Sequence, residues 1–346
     1  MIPQDTQPTA DATGSPVPER ILFLSDRNWR RVGLWGLVGL ALLIPFVFEG
    51  FTVFQLTLAG TYAIAILGLN ILTGYNGQFS LGHNVFFALG AYTTAIMVEQ
   101  WGISVYLTIP CAALICLAAG YLFGLSVTRL AGLYLALSTL ALAIATPQVI
   151  KHKSIEQWTG GVGGLNLFKP DVPEGIPLEP DQWWYFVVAV FLLLMLWATH
   201  NLVNSRSGRA MKAVKDNPIA ARAMGINTTQ TKAVTFGVSG LYAGVAGALA
   251  AIVIEFVAPD SYTFNLAFLF LTGMVIGGMA SIPGVIFGAL FVLLLPNYAE
   301  DFSKDLAYAV FGILLILTVY VMPSGAAGFF SSLLRRLRKG LMSRSP

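Results

Sequence analysis

The side chains that could act on a solute are few and gathered together. Asn76, Gln78, Ser80, His83 and Asn84 follow one another in the run TGYNGQFSLGHN. Amides and hydroxyls beside a glycine-freed backbone can bind a zwitterion, and a helix starting here would present its N-terminus to a carboxylate. The same groups would equally serve to satisfy the backbone that the glycines leave open. His83 alone, as a hydrogen-bonded structural histidine, needs no ligand to explain it. A second run, GGMASIPG at 277–284, carries Ser281.

The absences are as informative. No Asp or Glu falls inside an apolar run: Glu49, Glu99, Glu255, Asp260, Glu300, Asp301 and Asp305 all stand at the ends of such runs. Ion-coupled carriers commonly place carboxylates or histidines within the membrane, so proton or sodium coupling is disfavoured, although a sodium site built from carbonyls and hydroxyls needs no such residue. No paired carboxylates, His/Cys cluster or Ser–His–Asp set supplies catalysis or metal binding. No Gly-x-x-x-x-Gly-Lys-Ser/Thr loop is present to hold a nucleotide phosphate. The expectation is a chain with no catalytic and no metal residues, whose energy, if transport is active, comes from another subunit. Cys111 and Cys116 lie in an apolar run and read as packing residues.

These residues sit in a strongly apolar chain. Hydrophobic residues make up 56% and charged residues 11% of the sequence, with mean hydropathy +0.73, whereas soluble domains carry about 25% charged residues. The net charge of +3 has no clustering that suggests nucleic acid. An all-α polytopic membrane protein follows, with about ten spans near 32–48, 53–72, 84–98, 104–127, 131–149, 183–203, 233–254, 263–278, 284–298 and 306–322. Residues 50–98 and 261–299 carry no formal charge, are too long for one span, and break at their glycine-rich runs. The polar N-terminal stretch, residues 1–31, reads as a cytoplasmic tail, and the apolar run after it as a retained span rather than a signal peptide. Trp183, Trp184 and Tyr185 mark an interface.

The two breaks resemble each other. GQFSLGHNVFFALGA at 77–91 and GGMASIPGVIFGALF at 277–291 share Gly-x-x-Ser, with Phe86 and Phe287 each six residues after the Ser. Interrupted helices at matching positions of two halves point to a substrate pathway near the midplane. Tight helix packing through small residues is the other reading.

Charge sets the orientation. With ten spans and the N-terminus inside, sixteen of twenty basic residues fall in cytoplasmic segments: four in the N-terminal tail, Arg129, six in 206–232 and five in the tail 323–346. Lys151, Lys153, Lys169 and Lys304 remain outside, and 150–182 becomes the largest external segment. Within the cytoplasmic loop 204–232, Asp216, Asn217 and Pro218 form a helix-starting turn, followed by a short helix over 219–224 that Gly225 ends.

This loop resembles the cytoplasmic signature of ABC-transporter permeases, in which Ala-Ala, three residues, then Gly marks a coupling helix: Ala220, Ala221 and Gly225 match. Ile219 stands where many importer permeases have Glu, a departure typical of the branched-chain amino acid permeases. Their segment RSxxGRAxxAxxxNxxAAxxxGI is similar to Arg206, Ser207, Gly208, Arg209, Asn217, Ala220, Ala221, Gly225 and Ile226, with fewer residues between Ser207 and Gly208. Their Gly-x-x-Ser-Leu-Gly-His, Thr-Gly-Gly and Gly-Gly-x-x-Ser-x-x-Gly stretches are matched at 77–83, 159–161 and 277–284. The resemblance runs in order from about 50 to 322 and fits the longer, M-type (LivM-like) permease best.

The resemblance implies a type II-like ABC importer permease in a bacterial inner membrane, both termini cytoplasmic. It implies a second permease, two ATPase subunits that bind ATP and Mg, and a periplasmic binding protein docking on 150–182. This chain itself would hold no cofactor. Leucine, isoleucine or valine would pass near Asn76, Gln78, Ser80, His83, Asn84 and Ser281. Arg209, Asp216, Asn217, Pro218, Ala220, Ala221 and Gly225 would couple to the ATPases. Related permeases move urea or short amides. An ion-coupled secondary transporter is the rival from another class.

Overall fold

The computed structural model describes residues 43–48 and 50–302 except 128, 129, 131, 174 and 176 and the side chains of 297–302, together with 312, 316, 320, 325, 326 and 328. The chain divides into two units, Met1–Val47 and Phe48–Pro346. In the first, residues 43–47 are helical. The expected spans at 32–48 and 306–322, the two tails and Arg129 lie wholly or largely outside the described residues.

The described part of the second unit is helical almost throughout. α1 (Gly50–Leu69) runs on into a π-turn, Asn70–Tyr75. Then come α2 (His83–Trp101), α3 (Val105–Val127) and α4 (Leu133–Ile150). The segment that follows holds one short helix, α5 (Glu156–Thr159), and β1 (Leu165–Asn166) among its described residues. α6 (Pro180–Asn204) leads into the basic loop, which contains α7 (Arg206–Asp216) and α8 (Pro218–Ala223). α9 (Thr228–Ile254) follows, then β2 (Phe256–Val257) and a 3-10 turn, Pro259–Tyr262. α10 (Phe264–Gly277) and α11 (Gly284–Phe302) come next.

Each span expected between 53 and 298 coincides with a helix. Among the described residues, five helices are long and apolar enough to cross a membrane: Gly50–Tyr75, Val105–Val127, Leu133–Ile150, Pro180–Asn204 and Thr228–Ile254. Phe264–Gly277 and Gly284–Pro296 are apolar but shorter. α2 is long enough, but Asn84, Thr93, Thr94, Glu99 and Gln100 dilute its apolar character.

Burial separates the centre from the rim. In the most apolar windows of α1 and α9, 78% and 83% of residues are buried, against 33% in α3 and α4 and 22% in α6. α9 can be central because its glycines bring neighbouring backbones close. A side chain at Gly240 would meet the Cys116 carbonyl of α3 at 2.6 Å, and one at Gly247 would strike the Phe87 carbonyl of α2. Phe236, Phe270, Ile64 and Leu249 fill the space between. The rim helices instead expose large apolar side chains such as Leu114, Leu122, Leu137, Ile144, Val190 and Trp197. A soluble chain would not leave such faces in water, whereas lipid accepts them.

The segment 150–182 is tied to the helix ends beside it. β1 pairs antiparallel with β2, Leu165 opposite Val257. Lys169 bonds Asp181 at 2.8 Å and Glu255 at 3.0 Å, tying the segment to the start of α6 and the end of α9. Burial alone would lower the pKa of Lys169. The bonds to Asp181 and Glu255 and their charges outweigh it, so the net shift is upward. α6 starts on a reciprocal cap between Glu179 and Gln182, with Pro180 in its first turn. Trp183 donates to the Tyr106 hydroxyl at 2.9 Å, and Trp184 stacks on the Tyr106 ring. Cys111 and Cys116 are both free, and the Cys116 thiol donates to the Phe86 carbonyl at 3.3 Å.

Candidate functional site

The first break begins where α1 loosens into its π-turn. Gly77, at φ 72°, turns the chain out of the helix, and the amides of Gly77 and Gln78 close the end onto the carbonyls of Thr73 and Leu72 at 3.2 and 3.1 Å. Residues 76–82 then run back alongside α1. His83 Nε2 lies 2.8 Å from the Ala65 carbonyl, ten residues before Tyr75, or about 10–15 Å along a helix axis.

Most of the polar cluster is engaged. The Gln78 amide donates to the Lys232 carbonyl at 3.1 Å. Ser80 Oγ accepts from the Gly82 amide at 3.3 Å, and Thr139 Oγ1 accepts from the Leu81 amide at 2.9 Å. Asn84 donates to the carbonyls of Tyr262 and Thr263 at 2.9 and 3.2 Å, which joins the starts of α2 and α10. All five residues are buried. Gln78, Ser80, His83 and Asn84 thus complete backbone hydrogen bonding. Asn76 differs, since neither its Oδ1 nor its Nδ2 has a protein partner, and Asn84 Oδ1 also lacks one.

The second break is a tight helix hairpin. Gly273 and Gly277 of α10 face Gly288 and Gly284 of α11 so closely that a side chain at any of them would strike the opposite backbone or a packed side chain. Ser281 Oγ accepts from the Gly284 amide at 3.3 Å. Its carbonyl accepts from Asn70 Nδ2 at 2.9 Å, while Asn70 Oδ1 accepts from the Ala280 amide at 2.8 Å. Asn70, fully buried in the π-turn, thereby joins the two breaks. Sequence reasoning passed over it inside the run 53–72. The available signal was an amide in a charge-free span, which needs an internal partner.

The basic loop carries the helix expected at 219–224, observed at Pro218–Ala223. Asn217, rather than Asp216, is the cap: its Oδ1 accepts from the amides of Ile219 and Ala220 at 3.0 and 3.1 Å. Asp216 is the last residue of α7, and Pro218 occupies the first turn of α8. Gly225, at φ 82°, ends the element with open space around it. Ala221 is buried and Ala220 exposed. Ile219 and Met224 are 81% and 82% exposed, apolar side chains standing in solvent on a basic loop. Arg209 Nη1 donates to the Asn204 carbonyl at 3.3 Å, fastening α7 to the end of α6.

α7 was not foreseen. Ser205 caps it, and Gly208, Met211 and Val214 form its buried face. From its exposed side, Lys215 Nζ donates to the Gly74 carbonyl at 2.6 Å, and Lys212 Nζ lies 5.8 Å from the Tyr75 ring centroid. The basic loop therefore touches the first break directly.

Comparison with known proteins places the chain among transport permeases. Residues 51–319 match the family described as branched-chain amino acid transport system / permease component. The high-affinity branched-chain amino acid transport system permease protein LivM of Salmonella typhimurium is 30% identical over 319 residues, covering 86% of this chain and 74% of that protein. LivM of Escherichia coli K12 matches to the same extent. The Pseudomonas aeruginosa permease protein BraD is 26% identical, covering 79% of this chain and 93% of that protein. No solved structure matches the chain. A helical, multi-pass chain whose residues 51–319 match the family model belongs to the branched-chain amino acid transport system permease family.

Proposed function

We propose that this chain is the translocation subunit of an inner-membrane ABC importer for branched-chain amino acids, and that α8 is where its ATPase partners push. The observation that carries the reading is the capped α8 with Ile219 and Met224 bare to solvent, on a loop bonded through Lys215 to the first break. Exposed apolar side chains on a short, capped element suit a groove on another protein. The positive charge around them favours an acidic rim.

In this reading the N-terminus and the 204–232 loop face the cytoplasm, and 150–182 faces outward to receive a binding protein. The chain has about ten spans in a type II-like arrangement with a second permease, and two ATPases bind ATP and Mg. The interrupted segments at 76–82 and 278–283 are the parts that move. Asn76 and Asn84 Oδ1 offer hydrogen bonds to a passing amino acid, while Gln78, Ser80, His83 and Ser281 hold the breaks in shape. The experiment is co-purification of the importer complex. ATPase subunits should accompany the detergent-solubilised wild type and be lost from an Ile219→Asp/Met224→Asp variant that still inserts and folds. Undiminished ATPase recovery with that variant would sink the docking role of α8.

A further inference from the structure

We propose that Lys215 is the coupling residue through which displacement of α8 reaches the two breaks, an inference that rests on the importer reading above. α7 and α8 are consecutive and share Asn217: its amide closes α7 onto the Ala213 carbonyl at 3.0 Å, and its side chain opens α8. A push on α8 therefore moves the end of α7, where Lys215 lies. Lys215 Nζ holds the Gly74 carbonyl at 2.6 Å. Its stem lies so close to Gly77 that a side chain there would meet Lys215 Cγ at 2.9 Å. Lys212, one turn earlier, stands over the Tyr75 ring.

What Lys215 grips is a π-turn, which differs from α-helix by a one-residue change of register. Such a turn has a discrete second arrangement, and adopting it would rotate Tyr75 and Asn76 by about 100°. Asn76 has no side-chain bond to lose in that rotation. Asn70, in the same turn, bonds Ala280 and Ser281, so movement of the turn is felt at the second break as well. Directional bonds thus run without a gap from α8 to both breaks.

The test uses the complete importer in proteoliposomes and reads leucine taken up per ATP hydrolysed, alongside ATPase co-purification. Lys215→Met should assemble and hydrolyse ATP but lose about tenfold or more in uptake per ATP, the scale expected from one charge-assisted hydrogen bond. Lys215→Arg, which keeps a cationic donor, should stay within about threefold of wild type. Unchanged uptake per ATP in Lys215→Met overturns the inference, as does equal loss in the Met and Arg variants. Failure of Lys215→Met to assemble also overturns it, since Lys215 would then hold the fold rather than carry motion. A wild-type preparation without ATPase subunits would instead sink the importer reading, and this inference with it.

Discussion

Replacing Asn70 with Ala probes the joint between the two breaks. The Asn70 side chain is fully buried and makes two bonds of 2.8 and 2.9 Å to the peptide groups of Ala280 and Ser281. Ala280 sits at φ 59°, a conformation that a non-glycine residue adopts only when its surroundings hold it. Truncation leaves one donor and one acceptor without partners, at about 1–3 kcal/mol each. Ala280 and Ser281 are only half-buried, so water replaces part of the loss. The expected destabilisation is about 2–4 kcal/mol. Asn70→Asp should do no better, because it keeps the acceptor for Ala280, sets an acceptor against the Ser281 carbonyl, and buries a charge. The assay is denaturant titration of the detergent-solubilised chain, with Asn201→Ala on the exposed side of α6 as the control, expected within about 0.5 kcal/mol of wild type. Gly74→Ala adds a cycle. A side chain at 74 would collide with Asn70 Oδ1 and approach the Ala280 amide to 2.8 Å, so the double variant should lose less than the sum of the singles. Asn70→Ala within about 0.5 kcal/mol of wild type would refute the claim that this amide joins the breaks.

Other expectations follow from the same geometry. Asn76→Leu removes two buried, unpartnered polar atoms; it should keep or raise thermal stability while lowering uptake, and unchanged uptake would remove Asn76 from the pathway. Asn217→Ala deletes the α8 cap and should weaken that element by about 1 kcal/mol, seen as faster amide exchange at Ile219 and Ala220 with the spans unaffected; equal exchange would contradict the capping role. Lys169 has a folded-state pKa above its ordinary value of 10.5. Its ion cluster therefore stabilises fully below that value and is lost as pH rises through the folded pKa. Unfolding measured between neutral and strongly alkaline pH should show a steeper alkaline loss for wild type than for Lys169→Met, and parallel curves would refute the contribution.

Much of the helical framework was legible because membrane spans are written in long apolar runs. The glycine-rich runs at 73–82 and 277–284 coincide with the non-helical stretches 76–82 and 278–283. The cap and short helix of α8 were readable from Asn217, Pro218 and Gly225, since those residue types act locally. What could not be read was which distant groups meet. Asn70 finds Ala280 and Ser281 some 210 residues away, and nothing in its apolar neighbours names that partner. The ion cluster of Lys169, Asp181 and Glu255 draws its members from three separate stretches of the chain. α7 was hidden by its charge: Arg206, Arg209, Lys212 and Lys215 dominate the composition, while the spacing of Gly208, Met211 and Val214 marks a packed face. The residues expected along a pathway were chosen by type, and hydrogen bonds tie four of the five in the first break to the backbone.

In the proposed function, force enters this chain from an ATPase through the basic loop. The most direct measurement is leucine uptake into proteoliposomes containing this chain, its partner permease, the ATPases and the binding protein, compared with vesicles holding this chain alone. Uptake should require MgATP on the loop side and be abolished by Ile219→Asp/Met224→Asp. Uptake by the chain alone, driven by a proton or sodium gradient, would contradict it.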